Sequence, residues 1–219
     1  MGSSPAVRTM MASTMRLLEA DQLHLWRGEL HVLRGLSFSL DAGRCLQVTG
    51  RNGAGKTSLL RVLARLLPLE SGTVSWRGSD TSKDSFAYHS ELAWLGHATA
   101  LKGDLTAREN LLYSAGLRRA ITPDAMDAAL AAVGYAHSDG HLVRQMSAGQ
   151  QRRVALARVL LLDSALWLLD EPTVNLDAGG QEMFGGMLQA HLERGGLAVV
   201  ATHQTLSLPA SRLQALELA

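Results

Sequence analysis

The sequence predicts an α/β fold: a parallel sheet covered by helices on both faces, with a helical block inserted midway. Three observations predict it. The short apolar run CLQVT (45–49) enters a glycine-rich loop, GRNGAGKT, and the stretch after it, SLLRVLARLL, has helical periodicity. ALWLLD (165–170) and LAVVAT (197–202) are near-continuous apolar runs, the signature of strands buried on both faces. Between these strand-rich halves the texture turns helical from Thr106 onward.

Each element follows from its local pattern. Residues 16–40 suggest short strands with a turn at Arg27-Gly28. The helix after the glycine-rich loop stops at Pro68. Residues 72–76 and 92–95 are further strands. Thr122 is a good N-cap, Pro123 suits the first helical position, and Gly134 closes that helix. Another helix covers 150–162. The chain shows no internal repeat. Its first 14 residues are expected to be a disordered leader, or a start assigned too early with Met15 as the true one. They lack the apolar segment of a signal peptide.

Composition narrows the function. The 219 residues are 47% hydrophobic, enough for one sizeable core. Twenty-one Lys and Arg against 20 Asp and Glu leave a net charge of +1. That balance makes no general case for nucleic acid or an anionic lipid surface. The single cysteine, Cys45, excludes an internal disulfide and suits a reducing compartment. No run of about 18 uncharged apolar residues exists, so no bilayer span is predicted. Arg158 and Asp163 interrupt the longest candidate.

The loop Gly50-Arg51-Asn52-Gly53-Ala54-Gly55-Lys56-Thr57 fits G-x-x-x-x-G-K-[ST] between a strand and a helix that opens at Ser58. Its glycines let backbone N–H groups close around phosphate oxygens, and the helix N-terminus adds partial positive charge. Lys56 can reach β- and γ-phosphates, and the Thr57 hydroxyl can ligate Mg²⁺. LWLLDEP ends a buried strand on two carboxylates, at the edge where α/β sheets bind ligands. Asp170 can hold Mg²⁺, and Glu171 can orient or deprotonate a water. Ser147, with Gly149 and Gln150 behind it, is either a plain helix cap or a second anion site. His203, after a strand, is either structural or a hydrogen-bond donor to a γ-phosphate. His97 closes the apolar run LAWLG. Mg²⁺ prefers oxygen to imidazole, so His97 is either a structural residue or a switch group of the nucleotide site. His137 and His141 are separated by Gly140, which disfavours a helical metal face.

Together these motifs resemble those of ABC-type ATPases, from about Met15 to about Leu208. The resemblance implies a P-loop NTPase with a RecA-like parallel core, an ABC-type antiparallel β edge and an inserted α-helical subdomain. One ABC domain would span 15–219, with the core at 15–97 and 163–219 and the helical subdomain at about 98–162. It also implies Walker A at 50–57, a signature at 147–150, Walker B at 166–170, a catalytic Glu171, a D-loop around Asp177 and a switch histidine at His203. His97 takes the place of the family's switch glutamine. Trp26 falls near the family's adenine-stacking aromatic, or is simply core. ATP and Mg²⁺ are the implied ligands. The implied assembly is a head-to-tail homodimer with two ATP molecules between the subunits.

SAGQQRRVALARVLL, the ATHQ ending and WLGHATALKGDLTARENLLY are similar, more narrowly, to ATP-binding subunits of the cytochrome c maturation exporter, the CcmA type. LGHATA departs from that group's LGHQPG after the histidine, and Thr173 and Val174 depart from its EPFTA. The similarity implies a peripheral ATPase on the cytoplasmic face of the bacterial inner membrane. It would drive haem export, or release of a haem-loaded chaperone. Its partners would be a CcmB-like integral membrane permease and other cytochrome c maturation membrane proteins, docked near 97–113. Neither nucleic acid nor direct haem binding is expected. An exporter ATPase for another substrate and a soluble ABC-type switch are the alternatives.

Overall fold

The computed structural model describes residues 16–135 and 140–218. The expectations for the first 14 residues and for His137 lie outside the described residues.

Two strands open the described residues, β1 (Arg16–Arg27) and β2 (Leu30–Asp41), joined at Gly28-Glu29. Each has twelve residues, where the sequence suggests shorter strands. Their pairing carries four register shifts, and Gln22 and Gly35 take left-handed φ. Such bulges break the period-2 pattern that marks a strand. β4 (Ser71–Trp76) and β5 (Ser79–Asp80) complete an antiparallel sheet in the order β2-β1-β4-β5.

The second sheet has the order β6-β7-β8-β3-β9. It comprises β3 (Cys45–Gly50), β6 (Leu92–Leu95), β7 (Leu166–Asp170), β8 (Leu197–Ala201) and β9 (Leu213–Leu218). Every pairing in it is parallel. Alternate residues feed opposite cores. Leu166 and Leu168 join β1, β2 and α1 (Lys56–Leu63) on one face, whereas Trp167 and Leu169 join the helices on the other. This two-sided burial is why these strands read as unbroken apolar runs.

α2 (Ser85–Ser90) precedes β6, and α3 (Ala107–Ala115), α4 (Pro123–Ala132) and α5 (Ala148–Leu162) lie between β6 and β7. The Thr106 and Ser147 hydroxyls cap α3 and α5 in reciprocal capping boxes, and Thr122 caps α4. The inserted block is stitched at its neck. Val143 N–H donates to Leu105 O at 2.9 Å, and Arg144 N–H to Gly103 O at 3.0 Å. α6 (Ala178–Glu193), capped by Asp177, leads into β8. α2, α6, β5 and β9 are elements the sequence reading does not anticipate.

Candidate nucleotide site

β3 delivers the glycine-rich loop to the N-terminus of α1. Gly55 sits at φ +102°, and a Cβ there would lie 2.4 Å from Val32 Cγ1 of β2. Gly50, at φ +139°, has Leu218 O in the same position, also at 2.4 Å. The loop is thus wedged between the antiparallel sheet and β9, and only glycine fits at these two points. Lys56 is buried and turned back into the loop. Its Nζ donates to Gly50 O at 2.7 Å and Arg51 O at 3.1 Å, and lies 3.2 Å from His203 Nε2. The ammonium is held at the loop's centre, where phosphate charge would be neutralised.

Thr57 Oγ1 donates to Asp170 Oδ2 at 2.8 Å, joining residues 113 apart in sequence. Both are hard oxygen donors, the set a Mg²⁺ ion takes. Glu171 adopts φ +49° with its N–H on Ala201 O at 2.8 Å. A left-handed non-glycine residue is strained, and its neighbours over-determine it here. His203 Nε2 lies 3.1 Å from Asn52 Oδ1 and 3.6 Å from Glu171 Oε1. Lysine, amide and carboxylate therefore crowd one ring nitrogen. It accepts from Lys56 when unprotonated and donates to the oxygens when it carries a proton. Lys56, Thr57, Ser58, Asp170, Glu171 and His203 line one cleft of about 550 Å³, together with Asn52, Gly53, Gly55 and His97. Val174 and Gln204 also line it; in the sequence both fall only within subfamily strings, the stretch after Glu171 and ATHQ, and neither has an implied role in the site.

The other candidates lie outside this cleft. Gly50, Arg51 and Ala54 form its loop but do not line it. Ser147, Gly149 and Gln150 open α5. A Cβ on Gly149 would meet Asn175 O at 2.7 Å, so the start of α5 packs on the turn that follows Glu171. Arg153 Nη2 reinforces that packing through Asp177 Oδ1 at 2.8 Å. Trp26 is half-exposed. Its ring stacks on His31 at 4.2 Å and 4°, and His31 in turn meets His24 Nδ1 at 3.1 Å. Arg152, inside the run SAGQQRRVALARVLL, has no role implied by the sequence. It is 2% exposed and donates to Gly96 O at 3.2 Å and His97 O at 2.8 Å. Its spacing was a usable signal, since positions 152, 155, 156 and 159 share one stripe of a helix whose other members are apolar.

A second cavity of about 550 Å³, mainly apolar, lies between the end of α1, α2, β6 and the end of α3. Phe86 and Leu117 stand 86% and 78% exposed beside it. None of its lining residues falls within 97–113, the segment where docking is expected. α3 itself contributes nothing to the groove, whose lining takes in Leu117, Arg118 and Arg119 just after that helix.

A family model described as ABC transporter matches residues 33–174. A cytochrome c biogenesis ATP-binding export protein CcmA from Dechloromonas aromatica is 44% identical over 204 residues, 92% of this chain and all of that protein. Its namesake in Escherichia coli K12 is 42% identical, covering 93% of this chain and 97% of its own. Among solved structures, an ABC transporter ATP-binding protein from Pyrococcus furiosus superposes with a TM-score of 0.80 at 22% identity, over 92% of this chain and 96% of its own. A dimeric ATP-binding cassette bound to ADP and Pi superposes at 0.76 and 23%, over 86% and 88%. The fold matches those structures, and the sequence carries the match further: this chain belongs to the ABC transporter ATP-binding family, among the cytochrome c biogenesis ATP-binding export proteins of the CcmA type.

Proposed function

We propose that the chain works as a nucleotide-driven homodimer that hydrolyses ATP to power the export step of cytochrome c biogenesis. Support comes from one observation above all, the convergence of Lys56, Thr57, Asp170, Glu171 and His203 on a single cleft. The backbone amides of the loop and Lys56 bind the β- and γ-phosphates. Thr57 and Asp170 hold Mg²⁺, which when bound offsets phosphate charge. Glu171 orients the attacking water and takes its proton, as water oxygen bonds to the γ-phosphorus and the bond to the β–γ bridging oxygen breaks. ADP and inorganic phosphate leave. His203, within reach of Asn52 and Glu171, donates to the γ-phosphate. Trp26 offers its open face to the adenine ring. Ser147, Gly149 and Gln150 meet the γ-phosphate held by the second subunit, and Asp177 faces that subunit too.

Residues 15–97 and 163–219 act as the core and about 98–162 as a helical subdomain. No described helix is long and apolar enough to cross a membrane. The chain docks peripherally on the cytoplasmic face of the inner membrane, onto an integral membrane permease of the CcmB kind and its associated maturation proteins. The permease docks beside the 97–113 segment, on the apolar groove whose lining residues Trp94 and Leu117 flank that segment in sequence. The haem, or the haem-loaded chaperone, is handled by those partners. Glu171→Gln tests the chemistry. Steady-state ATPase should fall at least a hundredfold, while light scattering shows an ATP-bound dimer accumulating. Wild-type turnover in that variant would remove Glu171 from the mechanism.

A further inference from the structure

The His97 backbone is held from another element. Arg152 lies in α5, five residues after the capping Ser147, about 7.5 Å further along the helix axis. The residue is 2% exposed, and its two Nη atoms bridge the consecutive carbonyls of Gly96 and His97. Nε is buried with no partner. Burial pushes its pKa down, and the Asp170 and Glu171 carboxylates oppose that shift. The same helix is keyed at its N-terminus, three residues before Arg152, where Gly149 packs against Asn175 O. α5 therefore touches the nucleotide cleft twice: through the turn after Glu171, and through the strand end that carries His97. A buried cation is costly to keep, and an apolar side chain would leave both carbonyls without this donor.

We infer that Arg152 is a positioning residue, a strut that fixes the His97 backbone to α5, so that movement of α5 resets His97 in the nucleotide cleft. The planar fork suits this task. It grips two successive carbonyls at once, which a lysine's single nitrogen does poorly. The strut rests on the reading of the cleft as an ATP site, because only then does resetting His97 alter turnover.

The test uses the full chain with Arg152→Gln and Arg152→Lys. Three quantities are measured: ATPase kcat and KM, melting temperature, and hydrogen exchange by mass spectrometry. In Arg152→Gln, kcat should fall at least tenfold with KM for ATP within twofold. Exchange should quicken tenfold in peptides covering 97–100 while the 50–58 loop stays unchanged. Arg152→Lys should recover part of kcat. Wild-type kcat with wild-type exchange in Arg152→Gln would overturn the strut. So would exchange raised throughout α5 together with a lowered melting temperature, since that pattern marks a merely structural arginine. Absent turnover in the unsubstituted chain would count against the ATPase reading instead, and exchange at 97–100 would still decide the strut.

Discussion

His191 shows what a single buried residue commits the protein to. Its ring stacks on Trp167 at 3.8 Å, and Nε2 donates to Leu197 O at 2.9 Å. A Cβ on Gly196 would fall 2.2 Å from the ring, so the neighbour must be glycine. Burial holds the imidazole pKa down at about 4, against 6.5 when unfolded. Between those values the unfolded chain binds a proton that the folded chain refuses. Stability contributed by neutral His191 is therefore complete above pH 6.5 and is lost as pH falls toward 4. At pH 5 the loss is on the order of 2 kcal/mol. Denaturant melts at pH 7.5 and 5 should show it, and His191→Gln, which keeps an N–H donor but does not titrate, should flatten the difference. Cys45 sits at the other extreme of side-chain titration. It is fully buried, and desolvation pushes its thiol up to about 12, so it has no thiolate to offer near neutrality.

Among the elements, α3 rests most visibly on local chemistry. Thr106 N–H donates to Glu109 Oε2 at 2.8 Å, and the Thr106 hydroxyl receives Glu109 N–H at 3.3 Å. Thr106→Ala should cost about 1 kcal/mol. In a chain of this size that lowers the melting temperature by roughly 2–4 °C, measurable by calorimetry. A drop of less than half a degree would mean that packing alone sets α3. The caps that were legible in the sequence, Thr122 and Ser147, share this short-range logic. α6 was not legible for a physical reason. AGGQEMFGGMLQAHLE places four glycines in one helix, which weakens local propensity, and burial of Phe184 and Leu188 compensates. The bulged β1 and β2 hid their length in the same way, since register shifts erase the alternation that would reveal it.

At the scale of the molecule, the phosphate loop and the acidic strand end were readable because each is a short contiguous string. Their meeting was readable only through sheet topology. His203 reaches Lys56 and Asn52 across well over a hundred residues and Glu171 across a whole intervening helix, and no local pattern encodes these contacts. The groove is a whole-molecule feature of the same kind, assembled from α1, α2, β6 and the residues after α3. Phe86→Ser with Leu117→Ser should abolish co-purification with the membrane subunit and leave ATPase of the isolated chain within twofold of wild type. Retained co-purification would place the dock elsewhere.

The strand order has one more consequence, in the timing of synthesis. β3 lies between β8 and β9, the last two strands of the described chain, so it emerges from the ribosome early and stays unpaired along both edges until residues beyond 197 follow. The strand that presents the phosphate loop is the first laid down in its sheet and the last to be closed. For most of translation the nascent chain therefore exposes an apolar strand with two open edges, which makes it a natural client for chaperones that shield such edges.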